Sequence, residues 1–257
     1  MRLDQLHNIW EDLLVSLMLL TRFPVAKYRK EQNPPNLTRA QWAFPLVGAL
    51  VGFITIFIAN ALNYIGFNET TSSVVGVMTA LLVIGAFHEN GLAKVLDGFG
   101  GGAEKKQKLE IMKEGRLGTY GTLGLIISTL LKVSLITELL NTPGCFLLVM
   151  CSFSLGRTSI VILRRSSIVA SGETSTTLVG KASFTQTLLA ILFGTIWIIP
   201  ISFSLVLIVT FVMLMLTLGL RFLALRQIGG VSGDVLGASV QIVEISVLAI
   251  VNFWFLN

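Results

Sequence analysis

Charged residues are scarce in this sequence, and their scarcity excludes a soluble globular domain. They make up 13% of the 257 residues, whereas soluble domains carry about a quarter. The mean hydropathy of +0.80 agrees with this exclusion. The chain is therefore expected to be a membrane protein, with the lipid bilayer as a partner.

Cysteine is nearly absent, which excludes a secreted scaffold held together by disulfides. The two cysteines, Cys145 and Cys151, lie in one apolar segment and would point in different directions on a helix. We expect two small buried side chains and no disulfide. A cleavable signal peptide is not expected either, because Asp4, Glu11 and Asp12 stand where such a peptide would carry basic residues.

The sequence also lacks a nucleic-acid-binding motif. Its net charge of +5 would favour a nucleic-acid partner for a soluble protein, but no basic stripe is interleaved with aromatic residues. Basic loops that flank apolar spans explain this charge better. We therefore expect no nucleic-acid partner.

Long apolar segments dominate what is present. About seven are long enough to cross a bilayer, at roughly 20 residues each. They cover residues 44–65, 73–87, 117–140, 145–163, 184–199, 203–225 and 235–255. The second and fifth are short, so a tilted or partly re-entrant helix is the alternative for them. Residues 12–20 predict a shorter amphipathic or re-entrant helix. The sequence thus predicts an all-α, polytopic membrane bundle that forms a single integral membrane domain over residues 1–257.

A few small or charged residues lie inside the apolar segments. Gly48 and Gly52 form a GxxxG pattern that lets two helices approach closely. We expect packing inside the bundle rather than a dimer interface, and homo-oligomer formation stays open. Glu244 needs a partner or a wet cavity, because an unpaired carboxylate is costly at this depth. Lys132 and Glu138 either pair with each other or line a path.

Residues with chemical potential concentrate in the segment 87–102, where apolar sequence gives way to lysine-rich sequence. Asn90, Lys94 and Asp97 are spaced to share one face of a helix. Acidic groups in this pattern would hold a hard divalent cation against substrate phosphates, with Glu89 adjacent. The alternative is a solvated helix end with a weak Lys94–Asp97 surface pair.

Glycines follow at once, at Gly98, Gly100, Gly101 and Gly102. They would either turn backbone amides toward an anion as a nest, or mark a flexible helix end.

Two further segments carry candidate residues at the ends of apolar spans. Lys113 and Arg116 either bind phosphate oxygens or flank the third span with positive charge. Asp234 either caps the helix of the last span or completes a metal site opposite Asp97.

Five motifs are distributed along the whole chain in a fixed order. They are LLTRFPV (19–25), FPLVGALVG (44–52), HENGLAKVLDGFGGG (88–102), IMKEGRLGTYG (111–121) and GGVSGDVLGA (229–238). Together they resemble the cobalamin synthase family, the membrane-embedded adenosylcobinamide-GDP ribazoletransferases. The resemblance implies a reaction that joins α-ribazole, or its 5′-phosphate, to adenosylcobinamide-GDP with release of GMP. It also implies a Mg²⁺ requirement and a place in the bacterial inner membrane.

The resemblance assigns roles to particular residues. The implied metal ligands are Asp97, Asp234, Glu89, Asn90 and Glu114, of which Asp97 and Asp234 are the principal catalytic pair. The implied substrate-binding residues are Lys113, Arg116, Gly100, Gly101 and Gly102. His88 is a candidate general base through proximity alone.

The chain departs from the family pattern at four positions. The family carries aspartate where this chain has Asn90 and Lys94, usually aspartate where it has Glu114, and usually threonine where it has Ser232. Asn90 keeps an oxygen ligand but loses a charge, and Lys94 introduces a positive charge that opposes cation binding. An alternative function is therefore a member without catalysis that serves as a membrane scaffold or corrinoid carrier.

The charge pattern of the loops predicts the topology. Basic residues occupy alternate loops, which places the N-terminus and the candidate site loops on the cytoplasmic face and Asn257 outside. Reporter fusions at Lys106 and Asn141 should therefore report opposite sides of the membrane. If both fusions report the same side, the alternation does not describe this chain.

Overall fold

The computed structural model describes residues 3–29, 34–166, 168–170 and 180–256, and its regular structure there is helical without a β-strand. Short 3₁₀ turns occupy Val25–Tyr28, Arg39–Ala43 and Ile196–Ile198. The α-helices are α1 (Leu3–Leu20), α2 (Phe44–Tyr64), α3 (Glu69–Ile84), α4 (Phe87–Gly101), α5 (Lys105–Lys113), α6 (Thr119–Leu139), α7 (Cys145–Ser166), α8 (Phe184–Thr195), α9 (Phe203–Ile228) and α10 (Gly233–Leu256). The predicted all-α membrane bundle is confirmed.

By length and composition, fewer helices qualify as membrane spans than there are predicted apolar segments. Five helices within the described ranges have the length and composition of a span, namely α2, α6, α7, α9 and α10. The pair α3 and α4 passes the same test together but is bent by 89°, and α8 with its following turn is shorter. All seven predicted segments are helical, but the length and composition of the helices support five or six spans rather than seven.

The sharp corner between α3 and α4 is formed by two residues in the left-handed region. Gly85 has φ of 74° and Ala86 has φ of 54°, and the Gly85 amide donates to the Leu81 carbonyl at 2.8 Å. Ala86 adopts a conformation that residues with a Cβ rarely take. The predicted second segment was wrong at its end, since Phe87 begins a new helix that runs across the bundle.

The GxxxG pair packs inside the bundle, as expected. A Cβ on Gly48 would clash with the Phe153 carbonyl of α7 and approach the Arg157 Cδ to 2.9 Å. A Cβ on Gly52 would lie 3.0 Å from the Val149 carbonyl oxygen of the same helix. The absence of side chains at Gly48 and Gly52 therefore allows α2 to lie directly against α7.

Helix α1 is attached to the bundle through buried carboxylates. Glu11 forms an ion pair with Arg29, and Asp12 accepts from Arg39 Nε at 2.6 Å and from Trp42 Nε1 at 2.9 Å. Charged pairs of this kind are stable in an apolar setting only when the partners are close and hydrogen-bonded. The helix is also longer than the predicted stretch 12–20.

A buried ionic network joins α4, α6, α7 and α10. The Glu244 carboxylate accepts from Lys132 Nζ at 2.7 Å and is also paired with Arg157. Lys132 Nζ lies 3.9 Å from Glu89 Oε1, and Gln241 Nε2 donates to the same oxygen at 2.9 Å. The network settles two alternatives left open above, because Glu244 has its partners and Lys132 does not pair with exposed Glu138.

The glycine contact between α2 and α7 generates a stability prediction. Gly48→Ala should lower stability by about 1–3 kcal/mol through overpacking, which is a fall of roughly 3–10 °C in the unfolding midpoint at this chain length. The measurement is thermal unfolding in detergent. Gly219→Ala is the matched control, since nothing lies within 4 Å of a Cβ there, and it should not lower the midpoint. Equal midpoints for the two variants would contradict the packing described here.

Candidate active site

Helix α4 presents the predicted polar face on one side of the bundle. It is helical from Phe87 to Gly101, so Asn90, Lys94 and Asp97 do share a face. Asn90 is exposed, Lys94 is half-buried and Asp97 is buried. The exposure of this face therefore decreases along α4, from Asn90 near its beginning to Asp97 near its end.

Asp97 holds the beginning of α6. Its Oδ2 accepts from the Gly118 amide at 2.7 Å, and its Oδ1 accepts from the Gly121 amide at 2.7 Å. A Cβ on Gly118 would lie 2.5 Å from Asp97 Oδ1, and a Cβ on Gly121 would clash with the other carboxylate oxygen. The two glycines let the carboxylate approach the N-terminus of α6, where a negative charge is favourable. Asp97 therefore has a structural role that the sequence did not predict, and its role as a metal ligand stays a prediction.

Of the two alternatives for the glycines after Asp97, the backbone agrees with a helix end, at Gly101, and not with a nest. Gly98, Gly100 and Gly101 lie inside α4, and Gly102 follows it with φ of −96°, so the backbone lacks the alternating left-handed turn that a nest requires. The glycines serve close packing instead. A Cβ on Gly100 would lie 2.8 Å from the Tyr120 ring, and one on Gly98 would lie 3.0 Å from the Lys108 carbonyl oxygen.

A cavity of about 290 Å³ opens where α4 ends and α6 begins. Its lining residues are Asp97, Gly101, Ile111, Glu114, Arg116, Leu117, Gly118, Thr119 and Tyr120. The cavity thus brings together Arg116, which was predicted to bind phosphate, and the predicted metal ligands Asp97 and Glu114. The aromatic residue Tyr120 also lines it. A guanidinium beside carboxylates in a cavity of this size can orient a phosphate group and a hydroxyl group.

Asp234 lies beside Lys94. The distance from Lys94 Nζ to Asp234 Oδ1 is 3.8 Å, and each side chain is about a quarter exposed, at 27% and 24%. The alternative of a Lys94–Asp97 surface pair was therefore wrong. Asp234 lies in the first turn of α10, and the Ser232 hydroxyl just before that helix accepts from the Val235 amide at 3.3 Å.

Close helix packing brings α10 to α4 at this point. A Cβ on Gly91 would lie 2.7 Å from the Asp234 carbonyl oxygen, and Gly237 lies against the backbone of His88. Small residues at both positions let the two helices approach closely. The approach explains why Lys94 reaches the first turn of α10.

The remaining predicted residues lie away from the cavity. Glu89 belongs to the buried ionic network, where its Oε2 has no hydrogen-bond partner among the described residues. His88 is fully buried and lines an apolar pocket of about 30 Å³. It precedes Asp97 by nine residues, which is about 13 Å along a helix. Lys113 lines a separate cleft on another side of α5.

The residues do not fit a Mg²⁺ site as they stand. No three His, Cys, Asp or Glu side chains of the described ranges converge on one point. Asp97 uses both oxygens on α6, and the Lys94 ammonium stands next to Asp234, where it repels a cation. Mg²⁺ remains a prediction from the resemblance.

Sequence reasoning missed three contributors to this site. Gly118 and Gly121 were predicted only as members of the motif 111–121. Two glycines at the start of a helix leave room for another group to approach the backbone closely. Tyr120 lies between them and places its ring in the cavity.

Comparisons with known proteins agree on one family. Residues 12–252 match the model of the family described as Cobalamin-5-phosphate synthase. The chain belongs to the cobalamin-5-phosphate synthase family. The match covers every helix that contributes to the cavity and the ionic network.

Individual relatives carry one name. A protein named adenosylcobinamide-GDP ribazoletransferase from Azorhizobium caulinodans is 32% identical, over 94% of this chain and 95% of that protein. Proteins of the same name from Rhizobium meliloti and Bradyrhizobium diazoefficiens are 32% and 30% identical, over 95% and 96% of this chain and 96% and 95% of their own length. No solved structure gives a significant match. The assignment to the family therefore rests on sequence similarity along nearly the full chain.

The contact between Asp97 and α6 generates a prediction for this cobalamin-5-phosphate synthase family member. Gly121→Ala should displace the carboxylate and break two charge-assisted hydrogen bonds. Each contributes about 1.5–3 kcal/mol, so amides of the first turn of α6 should exchange with solvent at least about tenfold faster. Hydrogen–deuterium exchange measures this.

The control for this experiment is Gly115→Ala in the same loop, where nothing lies within 4 Å of a Cβ. It should leave the exchange of residues 118–122 unchanged. Wild-type protection in Gly121→Ala would show that Asp97 does not hold α6.

Proposed function

We propose that this chain is an adenosylcobinamide-GDP ribazoletransferase that works at the cavity between α4 and α6. Membership of the family and the name shared by relatives over nearly their full length support the reaction. The observation that carries the site is the meeting of Asp97, Glu114 and Arg116 around one cavity. The substrates are adenosylcobinamide-GDP and α-ribazole or its 5′-phosphate.

The reaction is a phosphoryl transfer with one bond formed and one broken. A ribose hydroxyl oxygen of α-ribazole forms a bond to the phosphorus that carries cobinamide. The bond from that phosphorus to the bridging oxygen breaks, GMP takes the electron pair, and the hydroxyl proton passes to a base. Alignment and charge neutralisation supply most of the catalysis in such transfers.

Arg116 is the cation of the cavity and would hold the diphosphate oxygens. A guanidinium offers two parallel donors that match phosphate geometry. Glu114 lies on the same wall and is exposed, with no bond to another described side chain, so its carboxylate would accept the hydroxyl proton. His88 is not proposed for that task, because it is fully buried in an apolar pocket.

Asp97 acts as a positioning residue in this proposal. It holds Gly118 and Gly121, and these residues flank Thr119 and Tyr120 on the cavity wall. The position of α6 therefore depends on this carboxylate. The cavity and its Arg116 favour an enzyme over a scaffold or corrinoid carrier, neither of which needs a phosphate-binding residue there.

The charge pattern supports a cytoplasmic location of the site. The multi-pass helices place the chain in a membrane, and basic loops of this kind lie in the cytoplasm in bacteria. We place the protein in the inner membrane, with the cavity on the cytoplasmic face where nucleotide substrates are found.

Arg116 provides the test of this proposal. Membranes that contain the chain should release GMP from adenosylcobinamide-GDP only when α-ribazole is present. Arg116→Ala should lower the rate by about 100- to 1,000-fold, the typical effect of removing a donor that stabilises developing charge. The rate of Arg116→Lys should lie between the rates of wild type and Arg116→Ala, because the positive charge remains but the paired donors are lost.

Arg165→Ala is the matched control, because Arg165 stacks on Phe184 with its Cζ 5.2 Å from the ring centroid, away from the cavity. It should keep wild-type activity. Wild-type activity in Arg116→Ala would show that Arg116 does not belong to the site. Absence of GMP release in the wild type would refute the proposal that the chain is this enzyme.

A further inference from the structure

A second cleft lies on the other side of α5 from the candidate active site. It has a volume of about 550 Å³ and separates α5 from the end of α9. Its lining residues are Lys105, Lys106, Leu109, Glu110, Lys113, Ile228 and Gly229. The five that belong to α5 recur at helical spacing, so they form one face of that helix.

The cleft carries net positive charge. Its lining includes three lysines and one acidic residue, Glu110. Lys106 Nζ and Glu110 Oε1 are 4.0 Å apart in a pair that is mostly exposed, and such pairs contribute little and leave the ammonium available to another anion. Lys105 Nζ lies 4.0 Å from the Cβ position of Gly229, so this ammonium overhangs the end of α9.

The floor and the approach to the cleft are apolar. Leu109 and Ile228 line the cleft together with the lysines. The last turns of α9 expose large apolar side chains, with Phe222 55% and Leu223 41% exposed. Arg226 stacks on Phe222 with its Cζ 4.5 Å from the ring centroid, an arrangement typical of cations at the edge of the hydrocarbon region.

The cleft is separated from the candidate active site by the body of α5. Ile111 and Glu114 line the reaction cavity, whereas Glu110 and Lys113 line the cleft. Lys108 strengthens the partition through its hydrogen bond to Gln227 of α9. An occupant of the cleft therefore contacts α5 and α9 without entering the reaction cavity.

We propose that this cleft binds an anionic phospholipid, with the headgroup phosphate among Lys105, Lys106 and Lys113 and an acyl chain along the exposed apolar side of α9. Basic clusters beside a span attract acidic headgroups, and the cleft joins such a cluster to a lipid-facing helix. A bound lipid would hold α5 against α9. Because α5 forms part of both walls, the lipid would also support the reaction cavity from behind.

The test measures lipid binding directly and does not depend on turnover. Delipidated full-length protein in detergent is titrated with dioleoyl phosphatidylglycerol or dioleoyl phosphatidylcholine, and bound lipid is counted by native mass spectrometry. Wild type should prefer phosphatidylglycerol. Lys105→Gln/Lys106→Gln should weaken its binding roughly 25-fold, at about fivefold for each lysine near an anionic headgroup.

The control variant Lys27→Gln/Lys181→Gln makes the same change of charge away from the cleft and should bind as wild type does. GMP release in detergent by the Lys105→Gln/Lys106→Gln variant should match wild type, which shows that the variant is folded and keeps this test separate from the enzyme proposal. Equal binding of the two lipids, or equal losses in both double variants, overturns the lipid site. Displacement of the lipid by millimolar inorganic phosphate would assign the cleft to a free phosphate instead.

Discussion

The pairing of Glu244 with Lys132 and Arg157 is the constraint on which the rest of the structure depends. All three side chains are buried, with Glu244 and Arg157 fully enclosed. Removing a charge from water is costly, and a buried charge persists only beside an opposite charge with good hydrogen bonds. The three residues come from α10, α6 and α7. These helices must therefore keep one relative position, because any other arrangement leaves a charge unpaired in an apolar bundle.

The same network fixes the start of α4. Glu89 accepts from Gln241 and lies 3.9 Å from Lys132 Nζ, which ties the first turn of α4 to α10 and α6. Asp97 ties the last turns of α4 to the beginning of α6. The helix is thus held at both ends, and the polar face between them is a rigid platform. Rigid elements position reacting groups better than loops do, which suits a reaction driven by alignment.

Much of the fold could be predicted because apolar length carries a strong signal. Each predicted apolar segment is helical, and the GxxxG pair lies where small residues were expected to pack. The corner at Gly85 and Ala86 was missed, since Ala86 gives no sign in the sequence that it adopts a left-handed conformation. The two helices meet there at a bend of 89°. A segment with this bend has the same amino-acid composition as a straight helix, so composition does not reveal the bend. By length and composition, the described helices give five spans, or six if the bent pair α3 and α4 crosses as one.

The site was predicted in part, and the errors share one physical origin. Spacing along a helix identifies which residues share a face, but it does not identify the partner across the bundle. Asp97 and Lys94 were correctly placed on one face, yet their closest partners belong to α6 and α10. The glycine run was interpreted from the freedom of glycine alone, whereas here it serves close packing against Lys108 and Tyr120. Partners of this kind depend on tertiary packing, which one sequence does not encode locally.

The Lys94–Asp234 contact shows how the departures from the family pattern alter the charge of the platform. The platform and the residues beside it combine Lys94 and Arg116 with Asp97, Glu114 and Asp234, which gives a net charge of about −1 at neutral pH. Aspartates at positions 90 and 94 would make it about −4, and so large a negative charge would repel a diphosphate unless a cation intervened. In the proposed reaction, the Lys94 ammonium beside Asp234 would supply part of that positive charge. Relative to the aspartate that the resemblance implies, a lysine at position 94 would weaken the attraction for Mg²⁺ and lower the repulsion of the phosphates together, so it would change how the negative charge of the substrate is balanced.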